Sequence, residues 1–173
     1  MAREVRVLVD PSDFDAFFRA QYRSVTGLAY VLCGDKGRAE DLAQEAFADA
    51  HRSWPKIGGY DDPGAWIRRV VTNKATSVRR RRSAESRALV RLVGRPSVTE
   101  TETGLDAAGV WSAVRALPRR QAQVVALMFL DDLDVAEVAR VLQCGEATVK
   151  THLHRAKATL AQHFGLDTEE ETR

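Results

Sequence analysis

An all-α fold of two small helical domains joined by a flexible linker, the second containing a helix-turn-helix, is what the sequence predicts. Every strong apolar periodicity in the chain has three- and four-residue spacing, and no alternating β-branched run bounded by turn signals occurs. Between Ser83 and Leu105 the pattern decays into Arg, Ser, Thr, Glu and Gly around Pro96, the composition of a linker. A chain of 173 residues, 45% apolar, can bury one ordinary core or two small ones. The expected division is residues 1–83, a linker 84–105, a second domain 106–165 and an acidic tail 166–173.

The first helix starts from Ser12 as N-cap and carries Phe14, Phe17, Phe18, Val25, Leu28, Ala29 and Leu32 before Gly34 stops it. A second runs from about Arg38 to Trp54, with Pro55 ending it. Its apolar stripe is Ala39, Leu42, Ala43, Ala46, Phe47, Ala50 and Trp54, leaving Asp41, Gln44 and Glu45 outward. After the glycine-containing loop 55–61 with Tyr60, Asp62 caps a helix that opens at Pro63 and continues to Arg82. The second domain opens with a helix from about Asp106 to Leu117, breaks at Pro118 and resumes through Val124, Val125, Leu127 and Met128.

Asp134 and Glu137 form a capping box ahead of a short helix striped by Val135, Val138, Ala139, Val141 and Leu142. A turn at Cys144 and Gly145 leads to a helix that buries Val149, Leu153, Ala156 and Leu160. At about 100° per residue the opposite face holds Thr151, His154, Arg155 and Ala158, flanked by Thr148 and Lys150. Short or forked donors near the N-terminal end of such a helix, with cations around them, suit major-groove reading.

The helix from Pro63 buries Ile67, Val71, Ala75 and Val78 and sets Arg69, Asn73, Thr76 and Arg80 opposite, with Trp66 on the edge. Between Arg68 and Arg95 the only acidic residue is Glu85, while Arg79 to Arg82 run unbroken. The net charge of +2 hides this segregation, which points to a polyanion partner. Trp54, Tyr60 and Trp66 offer stacking surfaces for unpaired bases.

Cys33 and Cys144 lie far apart, outside any pairing or metal-binding spacing, and read as half-buried apolar residues of a cytosolic protein. Residues 1–10 do not resemble a secretory signal, and no segment is apolar enough to insert into a membrane. His51, His152, His154 and His163 form no ligand set, so no metal, cofactor or catalytic activity is expected.

Together these pieces closely resemble the extracytoplasmic-function sigma factors of bacterial RNA polymerase, and more finely a SigE-like actinobacterial subgroup. Ala39-Glu40-Asp41-Leu42-Ala43-Gln44-Glu45-Ala46-Phe47 is similar to that family's polymerase-binding motif. Trp66 through Asn73 to Arg80 resembles its minus-ten helix, and Leu117-Pro118 through Thr148 to Lys157 resembles its minus-thirty-five domain. The resemblance implies that Asp41, Gln44, Glu45 and Phe47 grip core polymerase. It implies that Tyr60, Trp66, Arg69, Asn73, Thr76 and Arg80 recognise and melt the minus-ten element, with the Tyr60 loop capturing a flipped base of the non-template strand. Thr148, Lys150, Thr151, His152, His154, Arg155 and Lys157 are then the minus-thirty-five set. Gln143 replaces a frequent glycine, Gly145 a usual serine cap, and His152 a common arginine.

The function implied is promoter-specific transcription initiation in the cytoplasm, by a chain that binds polymerase core and both duplex and melted promoter DNA, with a possible anti-sigma partner. Two alternatives stand beside it. One is a stand-alone helix-turn-helix regulator, which has no need of the outward Asp41, Gln44 and Glu45. The other is a helical interaction module whose basic middle binds an acidic protein.

Overall fold

The computed structural model describes residues 11–93 and 107–166. Eight helices and no strand occur among them: α1 (Pro11–Cys33), α2 (Lys36–Arg52), α3 (Trp54–Ile57), α4 (Pro63–Val93), α5 (Ala107–Ala116), α6 (Arg119–Leu130), α7 (Val135–Leu142) and α8 (Glu146–Phe164). The all-α, two-part architecture is the one the periodicity predicts.

In the first half α1 lies against both α2 and α4, and α2 against α4. Leu28, Leu32, Ile67, Val71, Leu42 and Phe47 are all at most 3% exposed there. Gly34 ends α1 at φ +77°, a conformation that penalises any side chain, and Asp35 at once caps α2 by accepting from Arg38 N at 2.9 Å. That cap starts α2 at Lys36, two residues before the expected Arg38. At its other end α2 stops at Arg52, and Pro55 sits inside the first turn of α3 instead of terminating α2. Proline is compatible with a first turn because the N–H it lacks has no partner there.

The longest departure from expectation is α4. It was expected to end at Arg82, yet it runs on to Val93, through ten residues of the predicted linker. The stretch from Ser83 to Val93 carries Ala, Arg and Leu twice each and one Glu, all good helix formers, and the first strong breakers are Gly94 and Pro96. The remaining linker residues and the acidic tail beyond Leu166 lie outside the described residues, as does the Ser12 side chain expected to cap α1.

In the second half α6 packs on α7 and α8, and α5 on α6 and α8, around Leu127, Val124, Val138, Val141, Val149 and Ala156. The two halves also touch, with α1 against α5 and α6, and α4 against α6 and α7. Their buried residues merge into one continuous apolar cluster.

Candidate nucleic-acid and partner faces

The helix-turn-helix is built by local chemistry. Asp134 accepts from Glu137 N at 2.8 Å while the Glu137 carboxylate accepts from Asp134 N at 2.8 Å, closing the expected capping box. Gln143 ends α7 in the left-handed region at φ 53°, its N–H directed to Ala139 O and Arg140 O. Gly145 then enters α8 from extended backbone, without a side-chain cap.

On α8, Val149 and Ala156 are fully buried, and Leu153 and Leu160 pack on the core at partial exposure. Thr148, Lys150, Thr151, His154, Arg155 and Lys157 are all exposed, with Thr151, His154 and Arg155 centred opposite the buried stripe and the others flanking them. Thr151 Oγ1 donates back to Ala147 O at 2.9 Å. His152 departs from this set: it is half-buried, and its Nδ1 is shielded from solvent with no hydrogen-bond partner. Two residues on from Lys150, it turns toward the protein and not into the exposed set.

The middle helix is different. Ile67, Val71 and Ala75 are fully buried against the first half, and Val78 packs on the core, as the spacing predicts. The face opposite was expected to be open. Instead Thr76 is 2% exposed and Thr72 fully buried. Asn73 is half-buried, and α6 lies across all three. Gln123, itself completely buried, donates through Nε2 to Thr72 O, Asn73 Oδ1 and Thr76 Oγ1, each at 3.3 Å. Arg119 Nη2 donates to Asn73 Oδ1 at 2.6 Å. Arg69 is partly exposed, and Trp66 is half-buried against the core. Arg80 lies on α4, but its side chain is outside the described residues.

A second polar cluster pins the same junction. Asp131, just past α6, accepts from Arg68 Nε at 2.7 Å and from Ser24 Oγ at 2.7 Å, and its side chain is only 3% exposed. Arg115 Nη1 donates to Val31 O at 3.2 Å, and its guanidinium lies so close over Gly34 that a Cβ there would sit 3.0 Å from Nε. Arg140 approaches Asp62 at 3.8 Å. Sequence reasoning missed Gln123, Arg119 and Asp131. A signal was present for one of them: Gln123 interrupts the apolar run from Ala122 to Met128 at a position the helix must bury.

Among the aromatics, Tyr60 is 40% exposed in a loop whose N–H groups are tied back to α3, with Tyr60 N donating to Ile57 O at 3.0 Å. Asp62 caps α4 as expected, accepting from Ala65 N at 2.8 Å. Trp54, in contrast, is buried edge-on against Phe14 with ring centroids 5.3 Å apart, so it is core and no stacking surface.

On α2, Asp41, Gln44 and Glu45 are exposed side by side. Lys74 of α4 bridges Glu45 at 3.0 Å and Asp49 at 3.3 Å, and its ammonium is held above the usual lysine range chiefly by the Glu45 hydrogen bond. Phe47 does not join this surface. It is 3% exposed and meets Phe18 edge to face at 4.8 Å and Phe17 at 6.0 Å, so its role is to hold α2 to α1.

Residues 17–85 match the model of sigma-70 region 2, and residues 108–160 that of sigma-70 region 4. The chain is 30% identical over 152 residues to the RNA polymerase sigma-E factor of Streptomyces coelicolor, covering 88% of this chain and 86% of that protein. It is also 30% identical to the ECF RNA polymerase sigma factor SigM of Mycobacterium tuberculosis, covering 88% and 77%. In fold it is similar to the sigma factor RpoE solved with the anti-sigma factor NepR from Bartonella quintana, at TM-score 0.70 and 21% identity, covering 90% of this chain and 99% of that one. CnrH, solved with the cytosolic domain of CnrY, follows at TM-score 0.65 and 20% identity, covering 92% of each.

Proposed function

The chain belongs to the extracytoplasmic-function sigma factors of RNA polymerase, and on that premise we propose how its faces divide the work of promoter recognition. The observation that carries the division is the exposed, cationic face of Thr148, Lys150, Thr151, His154, Arg155 and Lys157 on α8, the second helix of a capped helix-turn-helix. This face reads the minus-thirty-five duplex, with Lys150 and Arg155 reaching guanine edges and the remaining cation on phosphate. His152 acts from behind that face by packing, not by contacting DNA.

The first half, to the end of α4 at Val93, acts as the polymerase-binding and minus-ten domain, the second half, from α5 onward, as the minus-thirty-five domain, and the segment between as their tether. Arg69, Asn73, Thr76 and Arg80 serve the minus-ten element, and Tyr60 and Trp66 offer stacking for an extruded base, a contribution of roughly 1–3 kcal/mol. Asp41, Gln44 and Glu45 dock on core polymerase, supported from within by Phe47. The work is recognition and strand separation in the cytoplasm, without catalysis by this chain. The solved neighbour RpoE, a sigma factor captured with the anti-sigma factor NepR, supports an anti-sigma factor as a further partner.

The test is run-off transcription with purified core polymerase on fragments of the host genome. Transcripts from a subset of fragments are expected, and their loss from the Asp41→Lys, Glu45→Lys double variant. Because both positions are exposed, and the Lys74 pair contributes at most about 1 kcal/mol, that variant should melt close to the parent. Tight duplex binding by the chain alone, with no transcript from any fragment, would favour the stand-alone regulator instead.

A further inference from the structure

We propose that the open groove between α2 and α4 is a further nucleic-acid site, a seat for the phosphodiester backbone made by Arg38, Ser77 and Arg81. It lies outside the minus-ten set and rests on the assignment of α4 to promoter DNA.

Arg38, Leu42 and Glu45 line the groove from α2, and Lys74, Ser77, Val78 and Arg81 line it from α4. Lys74, Ser77 and Arg81 each follow Asn73, Thr76 and Arg80 by one residue, so their row is turned by about 100° around α4 from the minus-ten row. The consecutive arginines Arg79 to Arg82 therefore spread around the helix, and Arg81 is the one set over the groove.

Charge decides what the groove can hold. Its one lining acid, Glu45, is bonded to Lys74 at 3.0 Å, and Lys74 also holds Asp49 at 3.3 Å. Arg38 and Arg81 are exposed, and neither pairs with a carboxylate among the described residues. Two uncompensated guanidiniums thus approach one groove from different helices, with the Ser77 hydroxyl on the same wall. Folding alone disfavours this arrangement. Arg38 lies in the first turn of α2, at the positive end of the helix dipole, where acids are stabilising and none is present. Its N–H is already held by Asp35 Oδ1 at 2.9 Å, so the seat consists of side chains and not of the helix end. A guanidinium presents forked donors that match paired phosphate oxygens. The groove measures about 560 Å³, room for a phosphate with its flanking sugars. A DNA strand is the favoured source of that phosphate because Arg81 directly follows Arg80 of the minus-ten row.

The test compares the full chain with its Arg38→Ala, Arg81→Ala double variant by fluorescence anisotropy on a pool of random-sequence forked DNA, across salt concentrations. Loss of two phosphate contacts should flatten the slope of log affinity against log salt by about 1.4–1.8. Affinity at physiological salt should fall at least ten-fold. Arg38→Lys with Arg81→Lys should keep the parental slope. The alanine variant should melt no lower than the parent, because a cation leaves the positive end of α2. An unchanged slope in that variant overturns the seat. So does equal flattening by Arg19→Ala with Arg23→Ala, an exposed pair on α1, which would reduce the effect to net charge. Inorganic tripolyphosphate, titrated calorimetrically into the chain, probes the other source of phosphate. Micromolar binding that the alanine variant loses while its DNA slope stays parental overturns the DNA assignment. A ten-fold loss of affinity for core polymerase with a parental DNA slope would place an acidic polymerase segment in the groove and overturn it too. If run-off fails on every genomic fragment while the slope difference holds, the seat stands and the reading of α4 as a promoter helix falls.

Discussion

α8 and α4 both carry a polar, cationic face opposite an apolar stripe, yet one face meets solvent and the other meets protein. On α8, Lys150, Thr151, His154 and Arg155 are exposed; on α4, Thr76 is buried and Asn73 is bonded to Arg119 and Gln123. A helical wheel assigns polarity to a direction but not an occupant to that direction. Polar residues suit water, nucleic acid or another polar surface, and here the partner surface lies on α6 of the same chain. Two helices of similar pattern thus stand in different states of readiness.

The largest way to break the contrast is at Asp131. Asp131→Ala leaves Arg68, only 17% exposed, without its carboxylate and Ser24 without its acceptor. Removing one partner of a mostly buried pair costs roughly 3 kcal/mol, and here that cost falls on the docking of the two halves. Urea unfolding followed by tryptophan fluorescence and by circular dichroism should then separate into two transitions. Coincident curves at the parental midpoint would show that the cluster does not hold the halves together.

What was legible in the sequence follows how far apart the interacting residues lie. The Asp134–Glu137 box spans three residues and the Asp62 cap on Ala65 likewise, so local spacing reveals both. Gln123 meets Thr72 across a separation of 51 residues, and Ser24 meets Asp131 across 107, which no periodicity encodes. Phe47 falls between these cases. Its place on the apolar stripe of α2 matched its burial, and only the resemblance argued for a surface role. The tail of α4 differs for another reason: composition from Ser83 onward reads as linker, whereas helix propensity persists up to Gly94.

A second, smaller effect sharpens the α8 side. Lys150→Ala and Arg155→Ala should each weaken duplex binding by about 1–3 kcal/mol if they reach base edges. Both are exposed, so unfolding free energy should move by no more than about 0.5 kcal/mol. Fluorescence anisotropy on a minus-thirty-five duplex, repeated across salt concentrations, separates the roles. A residue on phosphate flattens the salt slope by about one and weakens all sequences alike, while one on a base relaxes discrimination at a single position. Unchanged affinity in both variants would remove α8 from the DNA.

The smallest effect concerns the turn that aims α8. Gln143 adopts φ 53°, where a Cβ costs about 1–2 kcal/mol, and its side chain is exposed. Gln143→Gly removes that strain but gives the unfolded chain more freedom, which returns about 0.4–1 kcal/mol. The balance is a gain of roughly 0.5–1 kcal/mol, read as a melting temperature a few degrees higher. Since the turn touches neither α6 nor α4 in its polar contacts, the same variant should leave single-strand binding by the free chain unchanged. A higher melting temperature accompanied by tighter single-strand binding would mean that the helix-turn-helix and the junction are mechanically coupled, and that the openness of α8 and the closure of α4 are one property of the fold.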